Sequence, residues 1–215
     1  MSELLSLEKK SLGYYLSGHP VDAIGGKIEK LRSRKIGDIT NDIKKASLVC
    51  LINSARQIKD RKGNPLTFIN FDDGSGVMDG VVASDTLEAC HGILKEGSIL
   101  ILKGTIELDD YKSKDLGDAM YRMRVREVHS LDTELERKVR EIMINIEKSD
   151  ISSLDALSEK LGEIKDDFWA HGSCQLNIKV KTGKSEVIIS AGEKFKFPPT
   201  LINLTYLEEI FGTNA

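Results

Sequence analysis

The sequence has too few cysteines for a disulfide framework. Cys50, Cys90 and Cys174 are odd in number and far apart along 215 residues, which fits a reducing compartment, and a cytoplasmic location is expected. There is no secretory signal and no apolar run long enough to cross a bilayer, so no membrane partner is expected. A basic excess is also missing. A formal net charge of -3 excludes a protein that coats nucleic acid indiscriminately, so any such contact must sit on a local patch. No period longer than a heptad repeats, which excludes a solenoid. What is present is 40% hydrophobic and 30% charged residues, the balance of one large domain or two small ones.

Catalytic constellations are absent too. His19 precedes a proline, His129 and His171 are isolated, and Cys90-His91 has no second cluster at zinc-ligand spacing. Asp72-Asp73 and Asp109-Asp110 would hold Mg²⁺ only if they met in space, and both sit in turns where aspartate is expected. Gly74-Ser75-Gly76 is followed by no lysine at Walker spacing. The expectation is a chain with no catalytic residue, no metal and no cofactor.

Punctuation divides the chain into three stretches. Residues 1–45 read as a helical lead-in: Leu4, Leu5, Leu7 and Leu12 start an apolar stripe, Ser17-Gly18-His19-Pro20 breaks it, and Ile24 to Leu31 is a second amphipathic piece. It holds too little apolar material to fold alone. Residues 46–131 are β-rich, with strands expected at 47–59, 66–72, 77–83, 98–108 and 121–128. A short helix is expected from Ser84, as its cap, through Leu94. Five strands with a helix between the third and fourth is the order of an OB β-barrel. Residues 132–215 read as a small α+β domain. Alternation at Ile142, Ile144 and Ile146 marks a strand, and Leu154, Leu157 and Leu161 a helical stripe. Strands at 174–181 and 186–191, a loop at 195–199 and a helix at 201–211 complete it.

A binding surface is the chemistry that remains. Leu66, Phe68 and Asn70 alternate with Thr67, Ile69 and Phe71, so the two rings lie on opposite faces of one strand. Either Phe71 is core and Phe68 is offered to a ligand, or both rings are core of a closed barrel. In the first case Phe68 and Asn70 form the floor of a groove. Arg56, Lys59, Arg61 and Lys62 would flank it, and Tyr111 and Lys112 would close its other side. Arg122, Arg124 and Arg126 fit a binding stripe and a solvated face equally well. In the last helix Leu201, Leu204, Leu207, Ile210 and Phe211 exceed what a small sheet must cover, making Leu207, Ile210 and Phe211 candidate partner contacts. The competing expectation packs all five on the strands.

The segment Glu8-Lys9-Lys10-Ser11-Leu12-Gly13-Tyr14-Tyr15-Leu16-Ser17-Gly18-His19-Pro20 resembles the one that leads into the OB domain of bacterial replicative DNA polymerase III alpha subunits. The likeness continues through Arg61-Lys62-Gly63, Phe71-Asp72-Asp73-Gly74-Ser75-Gly76 and Arg126-Glu127-Val128. It implies the non-catalytic carboxyl-terminal part of a DNA-directed DNA polymerase, a nucleotidyltransferase whose catalytic regions lie upstream of Met1. It also implies an OB module for single-stranded DNA template, a terminal domain for the tau subunit of the clamp loader, and replisome contacts through the upstream domains. The strand-two pattern is similar as well to the anticodon-binding OB domain of class II aminoacyl-tRNA synthetases. A purely protein-binding assembly module is the third reading.

Overall fold

The computed structural model describes residues 7–8, 11, 15–29, 31–60, 63–90, 92–110, 112–113, 119–147, 158–159, 161–162, 164, 172–182, 185–192 and 196–211. The chain divides into two compact units, Met1–Ser130 and Leu131–Ala215.

The first unit is a closed five-stranded barrel. Its strands β1 (Lys45–Lys59), β2 (Pro65–Asp72), β3 (Val77–Ala83), β4 (Ile99–Leu108) and β5 (Tyr121–Ser130) follow one another around it in the order β1-β2-β3-β5-β4. The length of β1 allows closure. Its first half pairs with β4 and its second with β2, with a register irregularity between Ile52 and Ser54 where it turns from one to the other. The last seam joins β3 to β5 in parallel. Alternation sends Leu48, Cys50, Ile52, Ile69, Phe71, Val82, Met123 and Val125 into the barrel. Gly80 makes room for them: a Cβ there would lie 2.9 Å from Phe71 and 3.0 Å from Ile69. Burying a ring such as Phe71 contributes about 1.5–3 kcal/mol relative to leaving it in water.

Both hairpins are tied by aspartate. Asp60 accepts from the Asn64 amide at 2.8 Å, and Gly63 turns the chain at φ +84. Asp73 accepts from the Ser75 amide at 3.0 Å, and Gly74 takes φ +83. The lead-in packs on this barrel. Its described residues include a short helix α1 (Pro20–Ala23) and 3₁₀ turns at Gly25–Ile28 and Ile36–Asp38, and Ile36 and Ile39 join the barrel core. Ile24 to Leu31 is thus a tight turn rather than an amphipathic helix. The expected stripe at Leu4, Leu5 and Leu12 lies outside the described residues.

The helix after β3, α2, spans Ser84–Ala89 and ends short of Leu94. Ala83 is its N-cap, and the Ser84 hydroxyl bonds to Asp85 instead of capping. The chain leaves β3 one residue before the hydroxyl that could have served.

The second unit begins with helix α3 (Leu131–Lys138). Strand β6 (Glu141–Glu147) pairs in parallel with β7 (Cys174–Thr182), and β7 pairs antiparallel with β8 (Ser185–Ser190). Part of the expected 195–199 loop is a short strand, β9 (Lys196–Phe197), paired with Cys174 and Gln175. Helix α4 (Leu201–Phe211) has the expected bounds. Two oxygens satisfy its first turn: Asp132 accepts from the Leu201 amide at 2.8 Å, and Thr200 from the Asn203 amide at 3.3 Å. Ile142, Ile144, Ile146, Leu176 and Ile178 are buried on the sheet. Leu154 and Leu157 lie outside the described residues.

Candidate nucleic-acid interface

The barrel adopts the first of the two arrangements open to β2. Phe71 is fully buried, while Phe68 is 43% exposed on the outer face. Pairing sets its neighbours: Arg56 of β1 stands opposite on one side, Val81 of β3 on the other, and Arg124 of β5 beyond Val81. Cross-strand partners share a face, so one row across three seams reads Arg56, Phe68, Val81, Arg124. A cleft of about 220 Å³ opens there, lined by Leu66, Phe68, Val81, Glu107, Arg122 and Arg124. Arg122 faces Glu107 at 3.6 Å. Arg56 and Arg124 meet no carboxylate among the described residues. A ring between two unpaired guanidinium groups offers a stacking platform with charge on both sides.

The remaining expected contacts divide. Lys59 is exposed at the end of β1, where alternation puts it on the other face of the hairpin from Arg56. Arg61, Lys62 and Tyr111 lie outside the described residues. Asn70 faces outward, but its amide is already used: it accepts from Asn53 at 3.2 Å and donates to Asp79 at 2.7 Å. Lys112 is ion-paired with Asp79. Burial pushes the Asp79 carboxyl up, yet hydrogen bonds from Lys112 and Asn70 hold it below the usual aspartate range. The same bond raises the Lys112 ammonium. Asn70 and Lys112 are therefore members of an internal polar ladder, which limits what either can give a ligand.

Val81 was not among the expected contacts, and the sequence leaves Arg122 and Arg124 open between a binding stripe and a solvated face. Their signal was the arginine alternation along β5, but only the parallel β3–β5 seam brings that strand beside Phe68.

The Asp72-Asp73-Gly74-Ser75-Gly76 turn has a different role. Asp73, 2% exposed, accepts from the Ile36 amide at 2.9 Å and from the Ser75 hydroxyl at 2.6 Å. The Gly37 amide donates to Ser75 at 3.0 Å. His19 accepts from the Val21 amide at 3.2 Å through Nδ1, while its Nε2 is set against Asp72. Burial pushes the Asp72 carboxyl up, but contacts with His19 and Asn53 outweigh it and leave it below the ordinary range. A Cβ on Gly74 would come within 2.9 Å of the His19 side chain. The Ser-Gly-His-Pro and Asp-Asp-Gly-Ser-Gly motifs are thus two halves of one latch that fixes the lead-in to the barrel. Among the described residues, no group of three His, Cys, Asp or Glu could hold a metal ion, and no helix is long and apolar enough to cross a membrane.

In the second unit, Leu207 is fully buried and Phe211 is 3% exposed. Ile210 is half-buried. This burial goes against the expectation that Leu207 and Phe211 are presented to a partner. Ile202, 77% exposed, is the apolar side chain that α4 leaves in solvent.

A family model described as an OB-fold nucleic acid binding domain matches residues 48–131. The chain is 23% identical over 213 residues to the DNA polymerase III subunit alpha of Pseudomonas fluorescens, and 25% identical over 213 residues to that of Pseudomonas aeruginosa. Each alignment covers 99% of this chain but 17% of the relative, so the chain spans about a sixth of the length of those proteins. Among solved structures, the SSB domain of a Synechococcus protein aligns with 42% of this chain and 99% of its own, at 9% identity and a TM-score of 0.34. Over 99% of its length the chain is thus similar to DNA polymerase III alpha subunits, with an OB-fold nucleic acid binding domain at residues 48–131.

Proposed function

We propose that the first unit binds single-stranded DNA across β2, β3 and β5, as the non-catalytic, template-holding part of a bacterial replicative polymerase acting in the cytoplasm. The exposed Phe68 ring between the unpaired Arg56 and Arg124 carries this reading. Bases would stack on the ring while the guanidinium groups follow phosphate, a mode that tolerates any sequence and weakens with salt. The homology to alpha subunits supports DNA as the polymer. The test is fluorescence anisotropy of the whole chain with labelled oligothymidylate, competed by duplex DNA and by an anticodon stem-loop RNA. Phe68→Ala should cost about 1–3 kcal/mol of affinity without lowering the melting temperature. Equal competition by duplex, or unchanged affinity in Phe68→Ala, would overturn it. Preference for the RNA would favour the anticodon reading.

The finer reading of the second unit is docking of the tau subunit of the clamp loader. Its support is the similarity along the whole chain to alpha subunits. With Leu207 and Phe211 in the core, the contact would have to use surface side chains such as Ile202. Loss of tau pull-down in Ile202→Asp, with an unchanged melt, is the expected result. Retained pull-down would move the interface elsewhere.

A further inference from the structure

From the barrel's second cleft we infer that a single strand leaving the Phe68 site continues along β5 into a separate phosphate-binding cleft between β1, β4 and β5. This rests on the single-strand reading above. The cleft measures about 450 Å³ and is lined by Lys45, Ser47, Lys103, Thr105, Arg126 and Glu127, among others. None of these belongs to the Phe68 cleft: Lys45 is on the first half of β1, which pairs with β4 opposite Thr105, whereas the second half of β1 pairs with β2.

A bulge shapes this wall, leaving Glu127 outward beside Arg126. Between β4 and β5 the register shifts from Lys103 opposite Glu127 to Gly104 opposite Val125, leaving Arg126 as the extra residue. Strict alternation would send one of two successive residues inward. Here Arg126 and Glu127 are both exposed, and Val128 returns to the core. The bulge is built into the sequence at Gly104, where a Cβ would lie 2.2 Å from the Arg124 carbonyl oxygen. Arg122, Arg124 and Arg126 alternate with the buried Met123 and Val125 and form a row of cations along about 13 Å of strand, at about 3.3 Å per residue, from the first cleft to the second.

Charge in the cleft favours an anion. Lys45 and Arg126 meet no carboxylate among the described residues. Lys103 lies 3.5 Å from Glu127, which also contacts His129 at 2.9 Å. The Glu127 carboxylate is thus the one opposing charge on this wall, and it is balanced by its own neighbours. Arg126 and Lys45 remain to take phosphate oxygens, with the Thr105 hydroxyl beside them as a neutral donor; the Ser47 hydroxyl is already given to the Leu31 carbonyl at 3.2 Å.

The experiment compares oligothymidylates of about 5 and about 16 nucleotides, near the two ends of OB site sizes, by anisotropy on the full chain. The parent should bind the long strand more tightly. Lys45→Gln combined with Arg126→Gln should leave the short strand unaffected. It should weaken the long one about tenfold or more and reduce its salt slope by about 1.4, from two contacts at about 0.7 each. Glu127→Gln should tighten the long strand alone, and it decides the matter if the double variant melts early. If the length advantage survives the double variant, or Glu127→Gln brings no gain for the long strand, the track is wrong and the Phe68 cleft stands. If the short strand is not bound, or is bound equally by Phe68→Ala, the cleft reading has failed instead. A long strand still lost in the double variant would then leave the track in place. Binding of neither length overturns both.

Discussion

The two ends of β2 treat their polar neighbours in opposite ways. Toward its start, Phe68 lies in solvent between Arg56 and Arg124, whose charges meet no carboxylate among the described residues. Toward its end, Asp72 and Asp73 are surrounded by His19, Asn53, Ser75 and the Ile36 amide. Four residues of the same strand therefore separate a surface with unmet electrostatic demand from one in which Asp72 and Asp73 are satisfied. The denser motif, Asp-Asp-Gly-Ser-Gly, is the internal one. Ligand binding is better sought where charge is left over than where conserved-looking chemistry is concentrated, because a satisfied group gains little from a ligand.

The largest effect that would test this contrast is on the other ring of β2. Phe71→Ala should cost about 3–5 kcal/mol of stability, since the barrel walls cannot collapse around the space it leaves. Phe68→Ala should stay within about 0.5 kcal/mol, as surface substitutions do. Urea melts of the two variants are the measurement. A large loss in Phe68→Ala would make that ring structural and remove the difference between the two ends.

The latch comes next. Asp73→Ala should destabilise by about 2–3 kcal/mol, because it strands the buried Ile36 amide and frees the Ser75 turn. Amide exchange should rise first in residues 19–39, with the strands still protected. Acid acts at the latch and at the polar ladder. Asp72 and Asp79 are both held below the usual aspartate value of about 3.9, so as pH falls the unfolded chain takes up their protons first. Their contribution is complete above that value and is lost as the pH drops through the depressed native ones. Melting temperature should therefore be flat from neutrality down to about pH 5 and fall below about pH 4, and Asp72→Asn should blunt the fall. A decline already complete at pH 6 would assign the sensitivity to other groups.

Local patterns carried much of this in the sequence, and non-local pairing carried the rest. Alternation over residues 66–72 separates Phe68 from Phe71, and the glycine turns bound β2 and β3 within a residue. The apolar spacing of 201–211 gives α4 its limits. The neighbours of Phe68 were not legible in the same way. Arg124 reaches it through a parallel seam between strands separated by a helix and a third strand, which no local period encodes. The same applies to β9, two residues long and defined only by its partner, and to Leu207 and Phe211. An apolar stripe shows that a helix has something to cover, but not which of its side chains the fold buries.

The smallest expected effect is the most discriminating. Lys112 and Arg124 are both cations on this side of the barrel, and by composition alone either could hold phosphate. Lys112 already has its partner in Asp79, which is in turn held by Asn70. To serve a phosphate it would have to abandon that carboxylate, and the exchange of one anion for another gains little. Lys112→Met should therefore change single-strand affinity by less than about 0.5 kcal/mol and leave the salt slope unaltered, whereas Arg124→Met should lower the slope by about 0.7, the share of one phosphate contact. Removing Lys112 also leaves Asp79 bare beside the cleft, so whatever effect appears should be a slight weakening that Asp79→Asn relieves. A full contact's loss of slope in Lys112→Met would show that the ion pair opens for the ligand, and the polar ladder would then belong to the binding surface.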